Sequence, residues 1–227
     1  MEIATGWSTF ANGGYKITPY LIDKIESRNG DTLFTANPPR VPGDVVNGVA
    51  ATDGLAAPSH GGITIEPTPG TTPAAANPSA PSEPQAPAVA ERVVDGRTTY
   101  ILNSILEDVI KKGTGRRALA LGRADIAGKT GTTNESKDAW FSGYNGDYVT
   151  TVWTGYDQPE SLGRREFGGT VALPIWMSYM GAALKDKPLH TQPEPEGILS
   201  LRIDPVSGRA ASPSTPNAYF ELFKSED

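Results

Sequence analysis

Apolar residues recur near a 3.6-residue period at three places along the chain, and each recurrence predicts a helix. The first joins Ile3, Ala4, Trp7, Phe10 and Ala11 and is stopped by Asn12-Gly13-Gly14. The second runs from about Thr98 to Lys112. Ile101, Leu102, Ile105, Leu106, Val109 and Ile110 form its apolar face, and Lys111-Lys112-Gly113 gives it a basic end and a glycine stop. The third, about Ala172 to Leu184, has Pro174 near its first turn and a stripe of Leu173, Trp176, Met177, Met180 and Leu184. Between the helices the pattern is strand-like. Tyr15 to Ile25 and Thr32 to Thr35 flank the turn Arg28-Asn29-Gly30-Asp31, and three runs follow at Ile126 to Thr133, Ala139 to Tyr144 and Tyr148 to Tyr156. Asn145-Gly146-Asp147 joins the last two as a hairpin, and a further strand is expected at Ile198 to Ile203, ended by Asp204-Pro205. Helices mixed with antiparallel hairpins predict an α+β fold.

The pattern breaks between about Ala36 and Glu91. Eleven of the chain's twenty prolines fall there, and no Lys or Arg occurs between Val41 and Glu91. Such a composition has little apolar surface to set against its ordering entropy, which predicts a flexible insertion or linker over 36–91. Neither flank looks self-sufficient, so the reading is one domain, residues 1–35 and 92–227, interrupted by an insertion.

Composition narrows the chemistry. The chain has 227 residues, enough for one domain with a real core. Its net charge is −6 with no Lys/Arg-rich run, so nucleic acid is not an expected partner. There is no cysteine, hence no disulfide scaffold, no cysteine nucleophile and no Cys-based zinc site. His60 and His190 lie far apart in Pro-rich surroundings and read as solvated loop residues, so neither a metal centre nor any other cofactor is expected. No apolar stretch reaches the length of a membrane span. The start, Met1 to Trp7, lacks the basic and apolar regions of a leader and reads as the middle of a domain, so the chain is expected to belong to something longer.

The chemistry concentrates in Ala127-Gly128-Lys129-Thr130-Gly131-Thr132-Thr133. A strand carrying one ammonium, several hydroxyls and a residue without a side chain suits a ligand with a carboxylate and a peptide-like backbone. Lys129 supplies positive potential, and the Thr130 and Thr132 hydroxyls can donate to carboxylate oxygens. Gly131 allows close approach, and a backbone N–H here could face a tetrahedral oxyanion. Lys-Thr-Gly alone is a weak signal. A phosphate loop would need glycine where Arg123 stands, so that reading fails.

The context is more specific. Asp125 to Asn134 followed by Lys137-Asp138-Ala139-Trp140-Phe141-Ser142-Gly143-Tyr144 resembles the third motif of class A penicillin-binding proteins and the strand after it. Trp153-Thr154-Gly155-Tyr156-Asp157, Gly168-Gly169-Thr170 with Pro174-Ile175-Trp176, Phe10-Ala11-Asn12-Gly13-Gly14 with Pro19-Tyr20, and Gly113-Thr114-Gly115 are similar to that family in the same order. The resemblance, to the Gram-negative members, covers the chain except about 36–91. It implies a penicillin-binding serine transpeptidase fold and acyl transfer on D-Ala-D-Ala stem peptides of peptidoglycan. Lys129, Thr130, Gly131, Thr132 and Thr133 would bind substrate, with the Thr132 main chain in the oxyanion hole. It further implies β-lactams as ligands, a lipoprotein activator as partner, and a place on the periplasmic face of the inner membrane.

The departures set the remaining expectations. The family's acylation set is Ser-x-x-Lys, Ser-x-Asn and Lys-Thr-Gly. No serine here has a lysine three residues on; Ser161 with Arg164 comes nearest. Ser27-Arg28-Asn29 matches Ser-x-Asn by letters alone, inside a hairpin turn. Nucleophile, base and second serine are therefore expected upstream of Met1, on an N-terminal part of the same protein that is itself a partner, and the lone chain is expected to be inactive. The alternative is a non-catalytic scaffold module keeping the same fold, although a scaffold has no need of the intact ammonium and hydroxyls. Trp140, Phe141, Trp153 and Trp176 are expected in the core, Lys137 and Asp138 in a solvated turn, and Arg116-Arg117 and Arg164-Arg165 on the surface.

Overall fold

The computed structural model describes residues 1–43, 45–46, 49–50 and 88–226. Residues 51–87, the greater part of the expected insertion together with His60, lie outside the described residues. The chain forms two compact units, one of residues 1–16 with 92–227 and one of residues 17–91.

In the smaller unit β1 (Lys24–Glu26) pairs antiparallel with β2 (Thr32–Thr35). Ser27 closes their turn: its hydroxyl accepts the N–H groups of Asn29 at 3.2 Å and Asp31 at 3.1 Å, and Gly30 takes the left-handed φ of 88°. The Ser27-Arg28-Asn29 hydroxyl is thus committed to a turn. The strand expected over Tyr15 to Ile25 is confined to its end. Pro19 offers no ladder donor, and Leu21 is 82% exposed with nothing to pack on. Val45–Val46 (β3) and Val49–Ala50 (β4) pair antiparallel, and Arg40 bridges Val89 in parallel.

The larger unit is built on one antiparallel sheet ordered β5 (Ala127–Thr132), β6 (Asp138–Tyr144), β7 (Val149–Gly155). Asn145 makes the β6–β7 turn, its side-chain oxygen accepting the N–H groups of Asp147 at 3.1 Å and Tyr148 at 2.9 Å. Alternation along β6 sends Phe141 to one face and Tyr144 to the other. On the first face Phe141 meets α3 (Ala172–Ala183), where Leu173, Trp176 and Met180 are wholly buried at the predicted spacing. The Trp176 indole N–H reaches the carbonyls of Thr150 at 3.1 Å and Gly143 at 3.3 Å, so its polar atom is satisfied inside the core. On the second face Ala127 and Tyr144 pack against α1 (Glu2–Ala11) through Trp7 and Phe10, and against α2 (Gly96–Lys111) through Leu102 and Leu106. Asp95 caps α2 by accepting the N–H groups of Arg97 and Thr98, both at 3.1 Å. The α2 stripe is narrower than the periodicity predicts. Ile105 is 52% exposed, while Thr99 is fully buried.

Two segments distant in sequence meet at the start of this unit. Tyr15 and Arg92 form an antiparallel bridge; the Arg92 guanidinium lies 4.2 Å over the Tyr15 ring and donates to the Tyr15 hydroxyl and the Gly13 carbonyl, each at 2.6 Å. At the other end β8 (Ile198–Ile203) pairs with β9 (Tyr219–Lys224), a strand the sequence did not announce. Arg97 of α2 holds this hairpin through Glu226 at 2.7 Å. Among the described residues, no helix is long and apolar enough to cross a membrane.

Two core expectations fail. Phe141 and Trp176 are buried, but Trp153 is 44% exposed and Trp140 only half-buried. These two stand in one register row with Gly131, on the face that α1 and α2 cover only at its Ala127–Tyr144–Val149 end. Their rings pack against each other at 6.1 Å.

Candidate active-site strand

Lys129, Thr130, Gly131 and Thr132 all lie on β5, whose only strand neighbour among the described residues is β6. Register fixes which backbone groups that strand presents outward. The Thr133 N–H donates to the Asp138 carbonyl at 3.1 Å, and in an antiparallel ladder such pairs alternate. Gly131, Lys129 and Ala127 therefore direct their N–H and C=O groups at β6, and Thr132, Thr130 and Gly128 direct theirs away from it. The edge thus carries a row of peptide groups at every second residue.

Side chains frame this edge. Lys129 is exposed, and its ammonium donates to the Thr130 carbonyl at 2.9 Å, wrapping onto the outer edge. Among the described residues no carboxylate lies within ion-pair distance of it, whereas Lys24, Lys111, Lys112, Lys137, Arg97 and Arg123 all have one. The Thr130 hydroxyl lies 2.7 Å from the hydroxyl of Thr114, in the loop that leaves α2. The Thr132 hydroxyl accepts the Gly168 N–H at 3.0 Å and keeps its own proton to give. Gly168 is buried there, and a Cβ on it would collide with the carbonyl oxygens of Trp140 and Gly131. Gly131 is less tight but still close to its neighbour, since a Cβ would stand 3.1 Å from that of Trp140.

Thr133 is engaged otherwise. Its hydroxyl accepts the Asp138 N–H at 2.8 Å and donates to the Asp138 carboxylate at 3.2 Å. That carboxylate also accepts the Trp153 indole N–H at 2.9 Å, so Asp138 ties the strand end to the exposed tryptophan pair. Sequence reasoning gave Asp138 a solvated turn and missed this; the cue was its place two residues before Trp140 on β6 and diagonal to Trp153 on β7, once the two strands are paired. Lys137 does sit in the turn, bound to Glu135 at 2.8 Å, and this ion pair holds Lys137 above and Glu135 below their usual ranges. Arg116 and Arg117, at the start of a short 3-10 helix, and Arg164 and Arg165, in the loop between β7 and α3, are exposed. Ser161 spends its hydroxyl on the Glu135 carbonyl at 2.8 Å. His190 is exposed, and its backbone N–H donates to Asp125 at 3.0 Å. No cluster of three His, Asp or Glu with metal-binding geometry occurs among the described residues.

The sequence model of the penicillin binding protein transpeptidase domain matches residues 1–180, most of the chain. The chain belongs to the penicillin-binding transpeptidase family. Penicillin-binding protein 1A of Pseudomonas aeruginosa is 61% identical over 236 aligned positions, which cover 100% of this chain and 28% of that protein. Penicillin-binding protein 1A of Neisseria gonorrhoeae is 40% identical over 200, covering 88% and 19%. The crystal structure of penicillin-binding protein 1A from Haemophilus influenzae superposes with a TM-score of 0.75 at 32% identity, over 99% of this chain and 31% of that one. The chain thus spans less than a third of the length of these transpeptidase relatives, and its α+β architecture is that of a solved member of the family.

Proposed function

We propose that this chain supplies the substrate-binding strand of a peptidoglycan D,D-transpeptidase, the enzyme class that cross-links D-Ala-D-Ala stem peptides and is acylated by β-lactams. The observation that carries this reading is Lys129. It is an exposed ammonium with no carboxylate beside it among the described residues, on a strand edge that also offers the Thr130 and Thr132 hydroxyls and outward N–H groups. In a chain of net charge −6, this is local positive potential directed at an extended, carboxylate-ended ligand.

In the proposed reaction the stem peptide lies antiparallel along the outer edge of β5. Its terminal carboxylate is held by Lys129, Thr130 and Thr132. Gly131 leaves the ligand room; Thr133 joins the group only if its hydroxyl releases Asp138. A serine outside this chain attacks the penultimate D-Ala carbonyl, and the tetrahedral oxyanion is met by the outward N–H of Thr132 together with that serine's own N–H. Collapse breaks the peptide bond, the departing amine of D-Ala takes a proton, and an acyl-serine remains. The amine of a neighbouring stem peptide then displaces the serine oxygen and forms the cross-link. Residues 1–35 and 92–227 would be the C-terminal portion of that domain, with 36–91 inserted within it. The rest of the protein, carrying the nucleophile, is the obligatory partner. A lipoprotein activator and a position on the periplasmic face of the inner membrane belong to the same reading, by family resemblance.

The test is Lys129→Ala in a full-length protein containing this chain. Second-order acylation by a penicillin should fall by roughly tenfold or more, as for a charge-assisted hydrogen bond of about 1.5–3 kcal/mol, with the melting temperature unchanged. An unchanged rate removes Lys129 from the site.

A further inference from the structure

Thr114 belongs to no part of the reaction just described, yet its hydroxyl stands 2.7 Å from that of Thr130. The local backbone brings it there. The Gly113 N–H closes α2 on the carbonyls of Asp108 and Val109, and the Gly115 N–H returns to Val109 at 3.0 Å. A Cβ on Gly113 would stand 2.9 Å from the Val109 Cα, and one on Gly115 2.8 Å from the Ile110 Cδ1. Two glycines thus let the chain turn tightly off the helix and lift the threonine between them onto β5. On its far side the Thr114 carbonyl lies 3.0 Å from where a Gly169 Cβ would be, so the loop is confined from both directions.

A hydroxyl has one proton to give and can accept on its oxygen. Paired as they are, Thr114 and Thr130 use one of their two protons between them and keep the other. An arriving carboxylate fixes the direction of the pair. Thr130 donates to the anion, and its oxygen then accepts from Thr114. The donor in contact with the ligand is held in one rotor and polarised by the hydroxyl behind it.

We propose that Thr114 is a positioning residue for carboxylate binding, acting through the Thr130 hydroxyl. This inference rests on the reading of β5 as the carboxylate-binding strand. It assigns to the Gly113-Thr114-Gly115 turn a role in ligand affinity beyond ending a helix.

The experiment uses the full-length protein containing this chain and stopped-flow acylation by a penicillin, resolved into the Kd of the reversible complex and the first-order acylation constant. Thr114→Val should raise Kd about three- to tenfold, the size of one neutral hydrogen bond, and leave the acylation constant within about twofold. Thr114→Ser, which keeps the hydroxyl, should restore Kd. In a Thr130→Val background Thr114→Val should add nothing further. An unchanged Kd in Thr114→Val, an equal effect in the Thr130→Val background, or failure of serine to restore binding overturns the proposal. Should Thr114→Val lower the melting temperature, Thr114→Ala removes the hydroxyl in a second way and must show the same rise in Kd. Lys129→Ala separates the two levels. If it leaves acylation unchanged, the reading of β5 falls; if it slows acylation while Thr114→Val does nothing, only the role of Thr114 falls.

Discussion

Asp125 sits just before β5 with its carboxyl almost wholly buried, which would ordinarily push it toward the neutral form. Burial does raise its pKa, but hydrogen bonds from Arg123, the His190 N–H and Asn145 outweigh that and hold it below the usual 3.8. Arg123 in turn donates to the carbonyls of Lys187 at 2.9 Å and Pro188 at 2.8 Å, so the pair joins the entry of β5 to the segment leaving α3. A group whose pKa is lowered on folding stabilises the fold fully above its unfolded pKa and loses that contribution as pH falls through the folded value. Asp125→Asn should therefore destabilise the domain by about 3 kcal/mol near neutrality, since Arg123 is left buried without its partner. The gap between the two proteins should narrow as pH drops from about 5 toward 3. Urea unfolding across that range reads it; a gap independent of pH would mean the carboxylate charge is not what matters. Trp176 supplies a control of a different kind. Fully buried against Phe141 at 5.0 Å, its replacement by alanine should cost about 3–5 kcal/mol in the same assay, with no dependence on pH there.

Elements with strong periodicity and clear stops were the legible ones. Helices α1, α2 and α3 and strands β5 to β8 lie within two or three residues of their sequence expectations; the helices have apolar faces matched to their period, Gly13 and Gly113 follow α1 and α2, Asn145-Gly146 ends β6, and Asp204-Pro205 ends β8. The run Tyr15 to Ile25 misled because its apolar residues are distributed like a strand's, while Pro19 and the absence of a packing partner decide otherwise. β9 escaped notice since Tyr219 to Lys224 alternates weakly and is a strand only by pairing with β8. At the candidate site the Lys-Thr-Gly residues could be read directly, being contiguous. The contacts of Thr114, Asp138 and Gly168 with them could not, for these depend on which loops the sheet gathers at one end. The loop beside β5 gives the test at this scale. A Gly168→Ala variant cannot keep its N–H on Thr132, because the new methyl would meet two carbonyl oxygens. The loop must lift, and penicillin acylation of the full-length protein should fall at least tenfold with the melting temperature little changed. Wild-type acylation kinetics in that variant would show that the Gly168–Thr132 contact has no part in the site.

Taken whole, the chain holds the proposed binding edge but no serine in a credible Ser-x-x-Lys setting. Incubated alone with a fluorescent penicillin, it should yield no adduct that survives denaturation; with the preceding part of the domain added as a separate chain, labelling should appear. A stoichiometric adduct on the lone chain, located by mass spectrometry, would place the nucleophile between Met1 and Asp227 and undo that assignment. The Tyr15–Arg92 bridge carries a further consequence for the molecule as a polymer. It brings together the two ends of the excursion Ile17–Glu91, so for the sheet that whole stretch is a closed ring tied at its neck. The entropy lost in tying such a ring grows only with the logarithm of its length, about 0.6 kcal/mol for each doubling. Halving or doubling the excursion would then scarcely alter the stability of the sheet, while cutting the knot at Arg92 would.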